Sequence, residues 1–307
     1  MIAATPLVIL GPTASGKSDV AMALAGRHPN AELVVADAMQ VYRRMDIGTA
    51  KPSIADRSAV PHHCLDLVDA ADEFTVTDYA VAAHRAMSDI AGRRHRSVFV
   101  AGTGLYLRSV TDPMEMPGRW PEVRRELDQR IAVEGVEALH AQLVVLDPAA
   151  AAKMEPTNAR RVVRALEVTI ASGRKFSSFG PGIGTFPPVP FLQFGLRWPR
   201  PLLAERIARR VHAMISAGLV DEVAELARGQ VSRTARQALG YKELFAQFDG
   251  VGSLEAAIES IVTRTRQFAV RQERWFRRDP RIRWIDIDGD PVASALPVLE
   301  SAWQSSN

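Results

Sequence analysis

The sequence predicts an α/β fold in which a parallel sheet flanked by helices is interrupted by an inserted all-helical domain. Three observations carry this expectation. A complete phosphate-loop motif joins an apolar run to a helix, further β-rich runs alternate with helical spacing, and a central stretch shows helical spacing alone. The sheet is therefore expected to be P-loop NTPase-like, with strands and helices alternating as in a doubly wound fold.

Taken in order, PLVIL (6–10) predicts a short buried strand, followed by GPTASGKS and a helix through Val20, Ala21 and Leu24. AELVVAD (31–37) and SVFVAGTG (97–104) predict two more central parallel strands, because their apolar runs are continuous instead of alternating. VTDYAVAAHRAMSDIA (76–91) has the spacing of the helix between them. These elements make residues 1–111 the first part of the core. Residues 112–190 are expected to form the inserted domain, with helices in PEVRRELDQRIA, ALHAQLVVL and NARRVVRALEVTIAS, closed by the Gly/Pro-rich FGPGIGTFPPVP (179–190). FLQFGLRW (191–198) and IRWIDI (282–287) return to strand character within 191–307, a segment otherwise helical, and the polar tail SSN is expected to fray.

At 307 residues and 47% hydrophobic, the chain has enough apolar surface for about two domains. It has no apolar run of membrane-spanning length and no leader pattern, which predicts a cytoplasmic protein without a membrane partner. A single cysteine, Cys64, excludes an intramolecular disulfide and a CxxC metal knuckle. His62 and His63 are neighbours in sequence and read as structural. The net charge of +3 does not by itself require a nucleic-acid partner, but eight arginines lie between Arg264 and Arg283 against only Glu273 and Asp279.

Gly11 to Ser18 (Gly11, Pro12, Thr13, Ala14, Ser15, Gly16, Lys17, Ser18) fulfil GxxxxGK(S/T) between strand and helix. Backbone N–H groups there are expected to wrap a di- or triphosphate. Lys17 would neutralise its charge and Ser18 would hold Mg²⁺, the one metal expected. Asp37 ends the second strand on the same edge of the sheet. Three roles compete for it: a Mg²⁺-binding carboxylate, a general base, or a solvated strand end, and the pattern alone favours the first. Gly102 and Thr103 end the third strand, where a tight turn is the ordinary explanation. On the last long helix, Ile261, Phe268 and Trp275 are expected to form a buried seam and Arg264, Arg271 and Arg278 a basic stripe that suits phosphates.

These motifs in this order resemble the bacterial tRNA dimethylallyltransferase (tRNA isopentenyltransferase) family from Gly11 to about Trp284. The resemblance rests on GPTASGKS, DAMQVYRRMDIGTAKP (37–52), PHHCLDL (61–67), AGTGLYL (101–107), RRVVRALEV (160–168), GLVDEV (218–223), ALGYKEL (238–244) and RQFAVRQERWFRR (266–278). The second block is the most specific. The resemblance implies that the loop binds dimethylallyl diphosphate and that the prenyl group goes to N6 of the adenosine 3′ of the anticodon. It makes Asp37 the general base, Thr103 its hydroxyl partner, and Lys17 with Arg210 the holders of the departing diphosphate. It implies tRNA contacts at Asp37, Ala38, Met39, Gln40, Thr103, Arg124, Arg160, Arg161, Arg164, Gln237, Gly240, Tyr241, Lys242, Arg266, Arg271 and Gln272.

Where the family usually has serine, lysine and glycine, this chain has Ala38, Val270 and Ala101; the first two remove polar contacts. A monomer is expected, with the helical domain closing over the anticodon loop. The alternatives are an adenylate isopentenyltransferase on the same fold, a P-loop small-molecule kinase, and a non-catalytic tRNA binder.

Overall fold

The computed structural model describes residues 5–180 and 182–305, so Pro181 of the Gly/Pro-rich stretch and the last two residues of the SSN tail lie outside the described residues. The chain divides into two compact units, one made of the residues up to Thr111 and from Pro188 onward, the other of Asp112–Pro187.

The first unit opens with β1 (Leu7–Leu10), α1 (Lys17–Arg27), β2 (Ala31–Ala36), α2 (Ile54–Ala59), β3 (His62–His63), α3 (Val76–Gly92), β4 (Arg96–Ala101) and α4 (Gly104–Thr111). It resumes with β5 (Leu192–Arg197), α9 (Arg200–Ser216), α10 (Leu219–Ala227), α11 (Arg233–Arg236), α12 (Tyr241–Phe248), α13 (Leu254–Phe276), β6 (Arg283–Asp286) and α14 (Pro291–Ser305). The intervening α5 to α8 belong to the second unit. All sheet pairings among the described residues are parallel, in the order β3-β2-β4-β1-β5-β6.

Every residue of β1, β2 and β4 is buried, as parallel strands covered on both faces must be. Leu7 and Ile9 join the apolar cluster of α1, α9, α10, α12 and α14, while Val8 and Leu10 join that of α3 and α4. Strand alternation thus distributes one short segment between two cores. Helix α3 begins where a capping box predicts it should: Thr75 Oγ1 accepts from Asp78 N–H, and the Asp78 carboxylate accepts from Thr75 N–H.

Three details differ from the sequence expectation. SVFVAGTG does not remain a strand to its end: β4 stops at Ala101 and α4 starts at Gly104, so Gly102 and Thr103 form the turn between them. The two-residue strand β3 and the helix α2 carry too few residues for periodicity to reveal them. On α13, Ile261 is buried but Phe268 and Trp275 are only half-buried; the covered face is Ala257, Ile261, Ala269, Gln272, Glu273 and Phe276. A seven-residue spacing drifts by about 20° per repeat on a straight helix, so the seam rotates away from the core along its length. Arg264, Arg271 and Arg278 are exposed, as the stripe requires.

In the second unit, α5 (Pro121–Glu134), α6 (Val136–Leu146), α7 (Pro148–Ala151) and α8 (Ala159–Ser172) enclose Leu127, Leu139, Leu143, Val162, Val163 and Leu166. Among its described residues there is no strand.

Candidate active site

The phosphate loop sits at the carboxyl end of β1, where Gly11 N–H donates to Ala101 O of the neighbouring strand (3.3 Å). Gly16 has φ +85°, and a Cβ there would stand 2.4 Å from Pro291 Cγ, so both conformation and space demand glycine. The loop's outward carbonyls are braced: Trp198 Nε1 donates to Ser15 O (3.0 Å) and Arg206 Nε to Ala14 O (3.0 Å). The Arg206 guanidinium lies 4.5 Å above the Trp198 ring. With those carbonyls held, the backbone N–H groups of Lys17 and Ser18 in the first turn of α1 have no partner among the described residues. That is the arrangement in which a helix N-terminus receives an anion.

Among the described residues Lys17 Nζ donates only to Pro12 O, at 3.4 Å. Removal from water, reinforced by Arg210, brings its pKa down to about 8 against the opposing pull of Asp37 and Asp19. Arg210, on α9, is likewise lowered by desolvation, with Asp37 and Asp19 acting in the other direction. Neither cation forms an ion pair within 4 Å among the described residues. Two partly desolvated cations with no directly paired carboxylate form a site that an anion would stabilise. Arg210 also lines a cavity of about 430 Å³ with Ile47, Ala50 and Met214.

Asp37 follows β2, which is separated from β1 by β4. Its Oδ1 accepts from Met39 N–H (2.8 Å) and Gln40 N–H (3.4 Å), an Asx-type turn that fixes the carboxylate plane. Its Oδ2 has no hydrogen bond among the described residues and lies 3.3 Å from where a Cβ on Gly102 would stand; Lys17 Cε lies 3.4 Å from the same point. The missing side chain of Gly102 is what lets carboxylate and lysine approach one crevice. Thr103 Oγ1 accepts from Ala38 N–H (3.1 Å), which ties the ends of β4 and β2 together and leaves the hydroxyl proton available.

Sequence expectation and placement diverge at several of the implied RNA contacts. Gln40 is buried and its Nε2 donates to Thr49 O (3.0 Å), leaving Oε1 and the second N–H for an acceptor base. Gln272 is buried with both amide ends engaged, Oε1 by Thr13 N–H (2.8 Å) and Nε2 by Gly102 O (2.7 Å). Tyr241 is fully buried and its hydroxyl donates to Glu222 Oε1 (2.5 Å), and Gly240 is buried beside it. Arg164 donates to Glu167 (2.8 Å) and to the carbonyls of Pro117 and Gly118 (2.9 Å each), and Arg124 is turned toward Asp128 and Glu167. The polar groups of Gln272, Tyr241 and Arg164 are engaged inside their own unit. Gln237, Lys242, Arg266, Arg271, Arg160 and Arg161 are exposed; Ala38 and Met39 are half-buried beside Asp37.

Sequence reasoning missed Glu222. It accepts from the N–H groups of Asp46 and Ile47 (2.8 Å each) and Gly48 (3.1 Å), pinning the DIGTAK turn to α10 and α12. The only sequence signal was GLVDEV itself, whose acidic residues read as the favourable first turn of a helix.

Phosphate loop, parallel sheet, and the carboxylate and hydroxyl at the next strand ends define an α/β enzyme of the P-loop class. The sequence model of the family described as IPP transferase matches residues 40–279, and that described as Isopentenyl transferase matches 5–63. A tRNA dimethylallyltransferase of Kineococcus radiotolerans is 47% identical over 96% of each chain, and one of Geobacter metallireducens 44% identical over 94% of this chain and 96% of its own. The crystal structure of the tRNA isopentenylpyrophosphate transferase of Bacillus halodurans is similar at 35% identity and a TM-score of 0.70, with 98% of both chains covered. A eukaryotic dimethylallyltransferase acting on tRNA is similar at 26% identity and a TM-score of 0.73, over 92% of this chain and 73% of that one. The chain belongs to the IPP transferase family and is a transferase.

Proposed function

We propose that this enzyme transfers the dimethylallyl group of dimethylallyl diphosphate to N6 of the adenosine 3′ of the anticodon in tRNA, releasing diphosphate. One observation carries the assignment of roles: Asp37 Oδ2 and Lys17 Cε converge on the space above Gly102. A proton acceptor and an anion holder thereby border the same space.

In the reaction, the N6 lone pair forms a bond to C1 of the donor while the C1–O bond breaks, and the electron pair leaves with diphosphate. Asp37 takes the N6 proton through Oδ2, the oxygen that the Asx-type turn leaves free. The Thr103 hydroxyl accepts from Ala38 N–H at 3.1 Å, so its own proton is left to donate to another group, and in this reading that group is the substrate in the crevice. Lys17, Arg210 and the first-turn N–H groups receive the charge that grows on the leaving group, which is where fixed donors act most strongly.

The residues present fit Mg²⁺. Ser18 is exposed on the first turn and its hydroxyl has no hydrogen bond among the described residues, and no group of three carboxylate, His or Cys side chains among them forms a protein-only cage. Mg²⁺ suits such a site, with one hydroxyl, phosphate oxygens and water as ligands. It would supply further charge neutralisation to the diphosphate. Exposed Arg160, Arg161, Arg266, Arg271 and Lys242 are assigned to RNA phosphates.

The test is mass spectrometry of tRNA nucleosides after incubation with dimethylallyl diphosphate and Mg²⁺. A dimethylallyl gain on one adenosine is expected. Unmodified tRNA, or phosphate release from ATP in its place, would overturn the assignment.

A further inference from the structure

We propose that Gln272 is a positioning residue that holds the diphosphate loop in register with the turn carrying Thr103; the proposal rests on the prenyl-transfer reading above. Helix α13 presents one amide to two segments remote in sequence. Oε1 accepts from Thr13 N–H (2.8 Å) in the phosphate loop, and Nε2 donates to Gly102 O (2.7 Å) at the end of β4. Among the described residues neither backbone group has another hydrogen-bond partner. Three residues further on, Trp275 packs against the same turn, since a Cβ on Gly104 would stand 2.0 Å from its Nε1. The turn between Gly102 and Gly104 is thus gripped at both ends by one helix, with Thr103 between the grips.

The glutamine amide satisfies both partners at once. One segment offers a donor and the other an acceptor, so the bridging side chain must accept at one end and donate at the other. The two segments carry opposite halves of the reaction: the loop holds the leaving group, and the turn faces the base. An error of about 1 Å between them is of the size that costs on the order of 10²-fold in rate without touching either ligand. The charged groups around the amide are Lys17 and Asp37 across Gly102, and on α13 itself Glu273, engaged by Arg277 (2.6 Å) and Arg200 (4.0 Å), and exposed Arg271.

Two variants test the proposal. Gln272→Met keeps the length and removes both hydrogen bonds; kcat at saturating donor and tRNA is expected to fall on the order of 10²-fold, with tRNA affinity unchanged. Gln272→Glu keeps an acceptor for Thr13 but meets Gly102 O with a carboxylate unless protonated. Its kcat divided by that of wild type at the same pH is therefore expected to rise as pH falls. If Gln272→Met does not fold, the ratio for Gln272→Glu decides alone. A folded Gln272→Met with wild-type kcat, a pH-independent ratio, or weakened tRNA binding at unchanged kcat would each overturn the proposal. Wild-type enzyme forming no prenylated nucleoside would instead sink the underlying reading, and the proposal with it.

Discussion

The phosphate loop and the arginine clusters both present positive charge, yet they relate to the sequence in opposite ways. In the loop, function is local. Gly16 takes its left-handed φ, Lys17 opens α1, and the orphan N–H groups of the first turn follow from eight consecutive residues. In the arginine clusters, identity does not fix role. Arg161 is exposed, while Arg164, one turn along the same helix, is consumed by Glu167 and two carbonyls. A contiguous motif carries its geometry in its own backbone; an arginine acquires its role from whatever the tertiary fold places beside it.

The largest expected effect concerns the loop. In the proposed reaction diphosphate binding requires charged Lys17, whose pKa, brought down by desolvation to about 8, lies below its ordinary value. Binding should therefore be fully supported below that pH and weaken by up to about tenfold per unit above it, since proton uptake then accompanies binding. Titration of wild type and Lys17→Arg with inorganic diphosphate measures this. The arginine variant, charged throughout, should lose the step, and a step retained in Lys17→Arg would assign the titration to another group.

Next in size is the contrast within α8. Arg164→Ala leaves the buried Glu167 with one fewer cation and should destabilise the helical unit by about 1–3 kcal/mol. Arg161→Ala should fall within about 0.5 kcal/mol of wild type. Thermal unfolding of both variants separates a structural arginine from a surface one. Equal effects would erase the distinction drawn between them.

The smallest effect is expected from the stripe on α13. Arg271 is exposed, with its guanidinium 5.9 Å from the Phe268 ring, and Arg271→Ala should weaken tRNA binding uniformly across sequences and reduce the salt slope by about 1. Binding measured over a salt series decides. An unchanged slope would make the stripe a solvated face.

The sheet was legible because β1, β2 and β4 each contain an apolar run (LVIL, LVVA and VFVA) and the loop motif fixes the orientation of the first of them. Helix α13 was legible as a helix but not in its facing, because three residues spaced by seven cannot report the drift that turns Phe268 and Trp275 toward the edge of the core. At the site, Lys17 and Asp37 were visible through their strand ends. Gln272 was legible only as an implied RNA contact and Glu222 not at all, since the backbone partners of the first lie 259 and 170 residues away and those of the second 174 to 176. No local pattern announces a side chain that serves two distant backbones.

Asp37→Asn is the most direct test of the central claim, that the Asp37 carboxylate is the base and Lys17 the anion holder at one crevice. The change keeps shape and removes basicity. Turnover and diphosphate affinity measured on the same variant should separate, with turnover falling by roughly 10² to 10⁴ and affinity near that of wild type. Turnover close to wild type, or lost diphosphate affinity that added Mg²⁺ restores, would contradict the account and make Asp37 an ordinary strand end or a metal ligand.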